Sequence, residues 1–294
     1  MQASADSIRP GNRKANLAKL PWWAFILIAT GVLLIYMILA DQKYNETFFY
    51  LTQGIIVTLR ITVVSYLLAT IIGLLVGLAR VSKNVFINNM ATLYVETIRG
   101  VPMVVLILYT AFVIIPIIVN SVQWVGDWGI GWVANRTWSP STVAATHRMF
   151  ESIAAFSIRD LPMEGRAVIA LAFGYGAYEA EVFRAGIQSI GKGQTEAARS
   201  LGMTYLQAMR FIILPQAVRR VLPPLGNDFI ACLKDSSLVT VLAINDLTQL
   251  SRLRRSSTFR VTETFNVVTF LYLSMTLLLS GLVRWLEQRM RIEE

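Results

Sequence analysis

Residues 196–215 read EAARSLGMTYLQAMRFIILP, a polar stretch set between apolar runs, and its punctuation predicts two short helices back to back. Residues 194–201 suit a first helix, which Gly202 ends because glycine accepts a positive φ at little cost. Thr204 and Gln207 hold capping-box spacing for a second helix. On it Tyr205, Ala208, Met209, Ile212 and Ile213 share one face, and Pro215 is expected to interrupt the pattern. At the tip, the small Ala197 and Ala198 beside Glu196 let another surface approach the backbone while the carboxylate meets a donor. That is docking chemistry, since no nucleophile lies nearby; a solvated connector between two spans explains the same periodicity.

The rest of the chain is built to suit a membrane. Of 294 residues 55% are apolar and only 15% charged, and mean hydropathy is +0.54. These values predict an all-α, polytopic membrane helical bundle with about six spans, near residues 22–40, 54–79, 101–119, 167–183, 225–244 and 265–283. The run at 22–40 is too long for a signal-peptide core and lacks a clear cleavage site, so it reads as a retained span. Gly73 and Gly77 form a GxxxG pair that permits close helix approach. Trp124, Trp128 and Trp132, at i, i+4 and i+8, predict a helix lying along the interface with its indoles among the headgroups. A single cysteine, Cys232, excludes an internal disulfide, and one histidine, His147, with no Cys/His cluster gives no metal site. No GxxxxGK[ST] loop is present, so any ATP is handled by another polypeptide, and no cofactor is expected.

The formal charge of +9 is spread between spans instead of forming one stripe, which speaks for membrane orientation and against nucleic acid. Six spans put both termini on one side, and the larger share of Lys and Arg falls there, which predicts cytoplasmic termini. The cluster at 252–260 (Arg252, Arg254, Arg255, Arg260) breaks that rule and suits anionic headgroups or an acidic partner. Glu96, Arg99, Glu179, Glu181 and Arg184 stand near the inner ends of their spans, where they pair as a gate or meet headgroups only. Lys234 and Asp235 fall inside a span, at a cost of about 2.5 to 3.5 kcal/mol each. Being adjacent they diverge by about 100° on a helix, and with Ser236 and Ser237 they mark a broken span lining a polar path, or a structural pair with Asp228.

Resemblance sharpens this. The EAA stretch, with YVETIRGVPMVVLILY (94–109), GAYEAEVFRAGIQSIGKGQ (176–194), LPPL (222–225) and LKDSSL (233–238), resembles the membrane subunits of bacterial ATP-binding-cassette importers, in their polar amino-acid branch. The likeness covers about residue 54 onward. It implies a permease of the bacterial inner membrane that is no enzyme itself. Its implied partners are a second permease subunit, identical or related, a cytoplasmic ATPase dimer, an extracytoplasmic amino-acid-binding protein and membrane lipid. It makes the hairpin a coupling helix, with docking carried by Glu196, Ala197, Ala198, Gly202 and Pro215. The chain then divides into a cytoplasmic tail at 1–20, an additional span and short outer loop at 21–50, and an importer domain at 51–294. That domain holds an outer segment at 120–165 and the EAA loop at 184–224. The additional span and the long outer segment depart from the simplest members. An ion- or proton-coupled secondary transporter is the rival reading, weakened by the lack of an inverted repeat. A helix-turn-helix DNA binder is weakened by the spans pinning both ends of the hairpin.

Overall fold

The computed structural model describes residues 22–136 and 139–290; the tail expected at 1–20 lies outside the described residues. Among these residues every regular element is helical, as the composition requires. Helix α1 (Trp22–Ala40) is apolar all round, and only Ile38 near its end is buried. Asp41 then accepts the Lys43 N–H at 2.7 Å and caps α2 (Gln42–Val81). The short outer loop expected up to residue 50 is therefore the opening of α2: nothing in that stretch breaks a helix, and Asp41 starts one.

α2 is the axis of the bundle. Its most extensive partner is α7 (Met163–Gln188), and the two cross where α2 has no side chains. A Cβ added at Gly73 would lie 2.6 Å from the Glu179 Cβ, and one at Gly77 would lie 2.7 Å from the Phe183 Cβ. The GxxxG pair is thus a backbone-to-backbone contact. Around it Ile61, Ile107, Leu171, Tyr175 and Val239 form the main apolar core. A second core, of Leu51, Leu247, Val267 and Leu271 with Ile38, closes the other end of α2.

Between these partners the chain makes α3 (Val85–Arg99), capped by the Asn84 side chain. Next come α4 (Met103–Tyr109), a π turn at Thr110–Ile114 and α5 (Ile115–Ala134). Pro116 accounts for the π turn: its ring would strike the Phe112 carbonyl, so the helix widens and the Ile115 N–H reaches the Thr110 carbonyl. One rod results, Met103–Ala134, long and apolar enough to span a membrane. The tryptophans expected on a separate interfacial helix are instead its far end, because no residue after Pro116 stops it. α6 (Pro140–Ala154) folds back on α5, with Gly126 against Ala154.

After α7 come α8 (Lys192–Ser200), α9 (Tyr205–Ala208), a second π turn at Met209–Ile213 and α10 (Leu214–Asp235). The expected interruption at Pro215 is corrected by the structure. Proline widens the helix here too, the Leu214 N–H bonding the Met209 carbonyl, and α10 then continues past Pro223 and Pro224. At Ser236–Leu242 the helix tightens to 3-10 geometry, which is the break expected beside Lys234 and Asp235. α11 (Leu247–Thr258) and α12 (Val261–Met290) complete the chain. Helices at Trp22–Ala40, Gln42–Val81, Met103–Ala134 and Val261–Arg289 can cross a membrane by length and composition alone. The fourth expected span lies in α7, where Arg166 and Glu179 are buried, and the fifth runs from α10 into the 3-10 turn, with Lys234 exposed.

The crossing gives a stability test. Gly77→Val forces α2 away from α7 and should cost about 2 kcal/mol, seen as a lowered melting temperature of the purified protein. Gly31→Ala, where nothing lies within 4 Å, should leave that temperature unchanged or slightly raised.

Candidate functional site

The hairpin is fixed by local bonds. The Gly202 N–H reaches the Arg199 carbonyl at 2.9 Å and the Met203 N–H reaches the Ala198 carbonyl at 3.1 Å. With Gly202 at φ +81° this is the paired closure of a helix end that glycine permits. The capping box forms in both directions: the Thr204 N–H donates to Gln207 Oε1 at 2.9 Å and the Gln207 N–H to Thr204 Oγ1 at 3.3 Å. Beneath it Ile190, Ile213 and Ala217 pack with Ile187 and Met209, and Arg220 ties the base by donating to the Ser189 carbonyl at 2.5 Å. Glu196 and Ala197 are exposed, whereas Ala198 is buried within the hairpin's own fold. Pro215 is exposed, at the start of α10.

Sequence reasoning passed over the largest apolar groups at the tip. Leu201, Leu206 and Phe211 are 80%, 77% and 62% exposed on an otherwise polar hairpin. For Leu206 and Phe211 the signal was present in the periodicity: each is apolar yet falls off the face that Ala208, Met209 and Ile213 define.

At the α2 end that meets the hairpin's parent helix, four of the five gate candidates gather, around a residue read only as a loop marker. Arg80 lies 2.5 Å from Glu181 and 3.7 Å from Glu96, and Arg184 donates to both oxygens of Glu181. Arg99 stands over the Tyr178 ring, 5.5 Å from its centroid. Glu179 is not among them. It is fully buried at the glycine crossing, with neither oxygen bonded among the described residues. The hydroxyls beside it are committed elsewhere, Tyr66 to the Leu225 carbonyl at 2.5 Å and Thr70 to the Tyr66 carbonyl at 2.9 Å. Burial of an unpaired carboxyl costs several kcal/mol, and inside a membrane such groups mark a pathway.

The path candidates separate as their spacing required. Asp235 turns inward and accepts the Tyr175 hydroxyl at 2.8 Å, whereas Lys234 is exposed and makes no ion pair with Asp228. Ser236 is buried and donates to the Leu233 carbonyl at 2.8 Å; Ser237 is half-buried. Arg99, Tyr178, Glu181, Arg220 and Asp228, from α3, α7 and α10, line an open cleft of about 470 Å³. Among the described residues no group of three or more His, Cys, Asp or Glu could hold a metal.

A bundle of long apolar helices with a polar hairpin at one end is the architecture of a membrane protein. The chain belongs to the family described as the binding-protein-dependent transport system inner membrane component, which matches residues 69–292. It is 34% identical over 242 residues to the glutamine transport system permease protein GlnP of Escherichia coli (strain K12), covering 82% of this chain and 93% of that one. Over 122 residues, 42% of this chain and 56% of the other, it is 49% identical to the probable glutamine ABC transporter permease protein GlnM of Bacillus subtilis (strain 168). Among solved structures it is similar to an amino acid ABC transporter with histidines, at TM-score 0.63 and 33% identity, covering 85% of this chain and 97% of that one. The chain is therefore an inner-membrane permease of the importer type, which decides against the ion-coupled rival.

The ion-pair cluster makes its own prediction. The Arg80 side chain is 12% exposed and serves two carboxylates, so Arg80→Met should destabilise the protein by about 2 kcal/mol in thermal unfolding. Glu96→Gln, at a side chain 66% exposed, should change the same melting curve little.

Proposed function

We propose that this chain carries polar amino acids into the cytoplasm as the permease subunit of an ATP-driven importer, working with a second permease subunit, a cytoplasmic ATPase dimer and an extracytoplasmic binding protein. The relatives' names support the substrate class. The observation that carries the mechanism is the hairpin, a rigid double-capped unit with Glu196, Ala197 and the apolar tip all exposed. An ATPase cleft would receive Leu201, Leu206 and Phe211 as its apolar content and Glu196 as its polar anchor. Ala198 and Gly202 serve by shaping the tip. With the ATPase on that side, both termini and the cluster around Arg80 face the cytoplasm.

Ala197→Trp should let the protein insert and assemble in the membrane while abolishing substrate-stimulated ATP hydrolysis in the reconstituted complex. Stimulation equal to that of the unmodified complex would show that the hairpin does not dock.

Substrate passes, on this reading, between α7 and α10. Asp235, held by Tyr175, supplies a fixed carboxylate for an ammonium group; the cleft bounded by Arg99, Glu181, Arg220 and Asp228 is the inner exit, closed by the ion pairs of Arg80 with Glu96 and Glu181 and of Arg184 with Glu181. Lys234, turned away from its own chain, lies toward the second subunit. Asp235→Asn should lower uptake about tenfold, and Lys234→Met should impair it too, with unstimulated ATP hydrolysis retained in both. Radiolabelled amino-acid uptake into proteoliposomes is the measurement, and unchanged uptake in both variants would move the path elsewhere.

A further inference from the structure

α11 carries Arg252, Arg254 and Arg255, and Arg260 follows it directly. Among the described residues one carboxylate pairs with them: Glu46 lies 3.3 Å from Arg254 and 2.7 Å from Arg260. Arg255 rests over the Phe265 ring at 4.8 Å. Among the described residues neither Arg255 nor the exposed Arg252 has a carboxylate within ion-pair distance. Beside this positive excess stands Phe259, 85% exposed at the turn into α12 and held at φ +57°, a conformation unfavourable to a bulky side chain. Its N–H is bonded to the Arg255 carbonyl at 3.0 Å, so the turn is fixed and the ring stands out from it.

The side of the membrane follows from α2. Glu46 and Arg80 are 34 residues apart on one helix, roughly 50 Å at 1.5 Å per residue, well beyond the hydrocarbon thickness of about 30 Å. Arg80 belongs to the hairpin end, so the arginines of α11 lie on the opposite face. There they act against the positive-inside preference, a cost that a function on that face would offset.

We propose that α11 and Phe259 form the docking surface for the system's binding protein, an aromatic knuckle rimmed by arginines that fits an apolar recess with an acidic border. This rests on the importer reading, which places a soluble delivery protein on that face. Charge of one sign at a rim sets the rate and salt dependence of encounter, and a central aromatic ring supplies the anchor.

The test uses the complete permease–ATPase complex in vesicles of phosphatidylcholine alone, with the binding protein that stimulates the unmodified complex. Arg252→Glu with Arg255→Glu should raise the half-saturating concentration of binding protein about tenfold at low salt, with maximal and unstimulated hydrolysis unchanged. Added NaCl should raise that concentration for the unmodified complex and leave the double variant flat. Phe259→Gly fits the left-handed turn and keeps the fold, and should raise the half-saturating concentration as well. If neither variant alters it while the unmodified complex responds normally, the proposal fails and the importer reading stands. An effect seen only with phosphatidylglycerol present assigns the arginines to lipid and also overturns it. Absence of any stimulation of the unmodified complex overturns the importer reading itself.

Discussion

The bundle depends on the approach of α2 to α7 at Gly73 and Gly77. Ala69, Gly73, Gly77 and Arg80 fall on one stripe of α2, at i, i+4, i+8 and i+11. Where the stripe is bare the backbones meet, and where it resumes with a long cation it reaches Glu181 on the facing helix. Packing and ion pairing are therefore one device. The close approach also buries Glu179, since its Cβ occupies the space a larger residue at 73 would need. A bulkier stripe would release both the carboxyl and the ion pairs below it.

Much of this was legible in the sequence because it is local. The hairpin's caps follow from Gly202, Thr204 and Gln207, with bonds confined to residues 198–207, and all of these bonds form. The divergence of Lys234 and Asp235 followed from helical geometry alone. What escaped depends on residues far apart: that Arg80 joins Glu96 and Glu181, and that Glu179 is cut off from Arg99, is decided by how α2 and α7 cross. The burial of Ala198 escaped for the same reason, since it is set by how the hairpin packs.

Proline at 215 was the other source of error, and Pro116 shows the same geometry. Pro116 and Pro215 each follow a five-residue π turn, at Thr110–Ile114 and Met209–Ile213. A proline inside a helix removes one donor and crowds the carbonyl four residues back, which sequence reading takes as an end. Widening the preceding turn moves that carbonyl aside and lets the helix run on. This choice needs apolar neighbours able to accept an extra residue in the turn, and packing supplies them. The continuity of Met103–Ala134, and hence the position of the tryptophans, follows from it.

α2 also has a mechanical consequence. Forty residues without an interior break make a strut whose one end bears Glu46 among the arginines of α11 and whose other end bears Arg80 among the ion pairs of Glu96 and Glu181. A strut cannot bend to let its ends move separately. Pivoting it by about 5° at one end sweeps the other through roughly 4 Å, given 1.5 Å per residue over the span between them, enough to part an ion pair. The two faces of the membrane are in that sense geared together, with Gly73 and Gly77 as the bearing on which the strut turns.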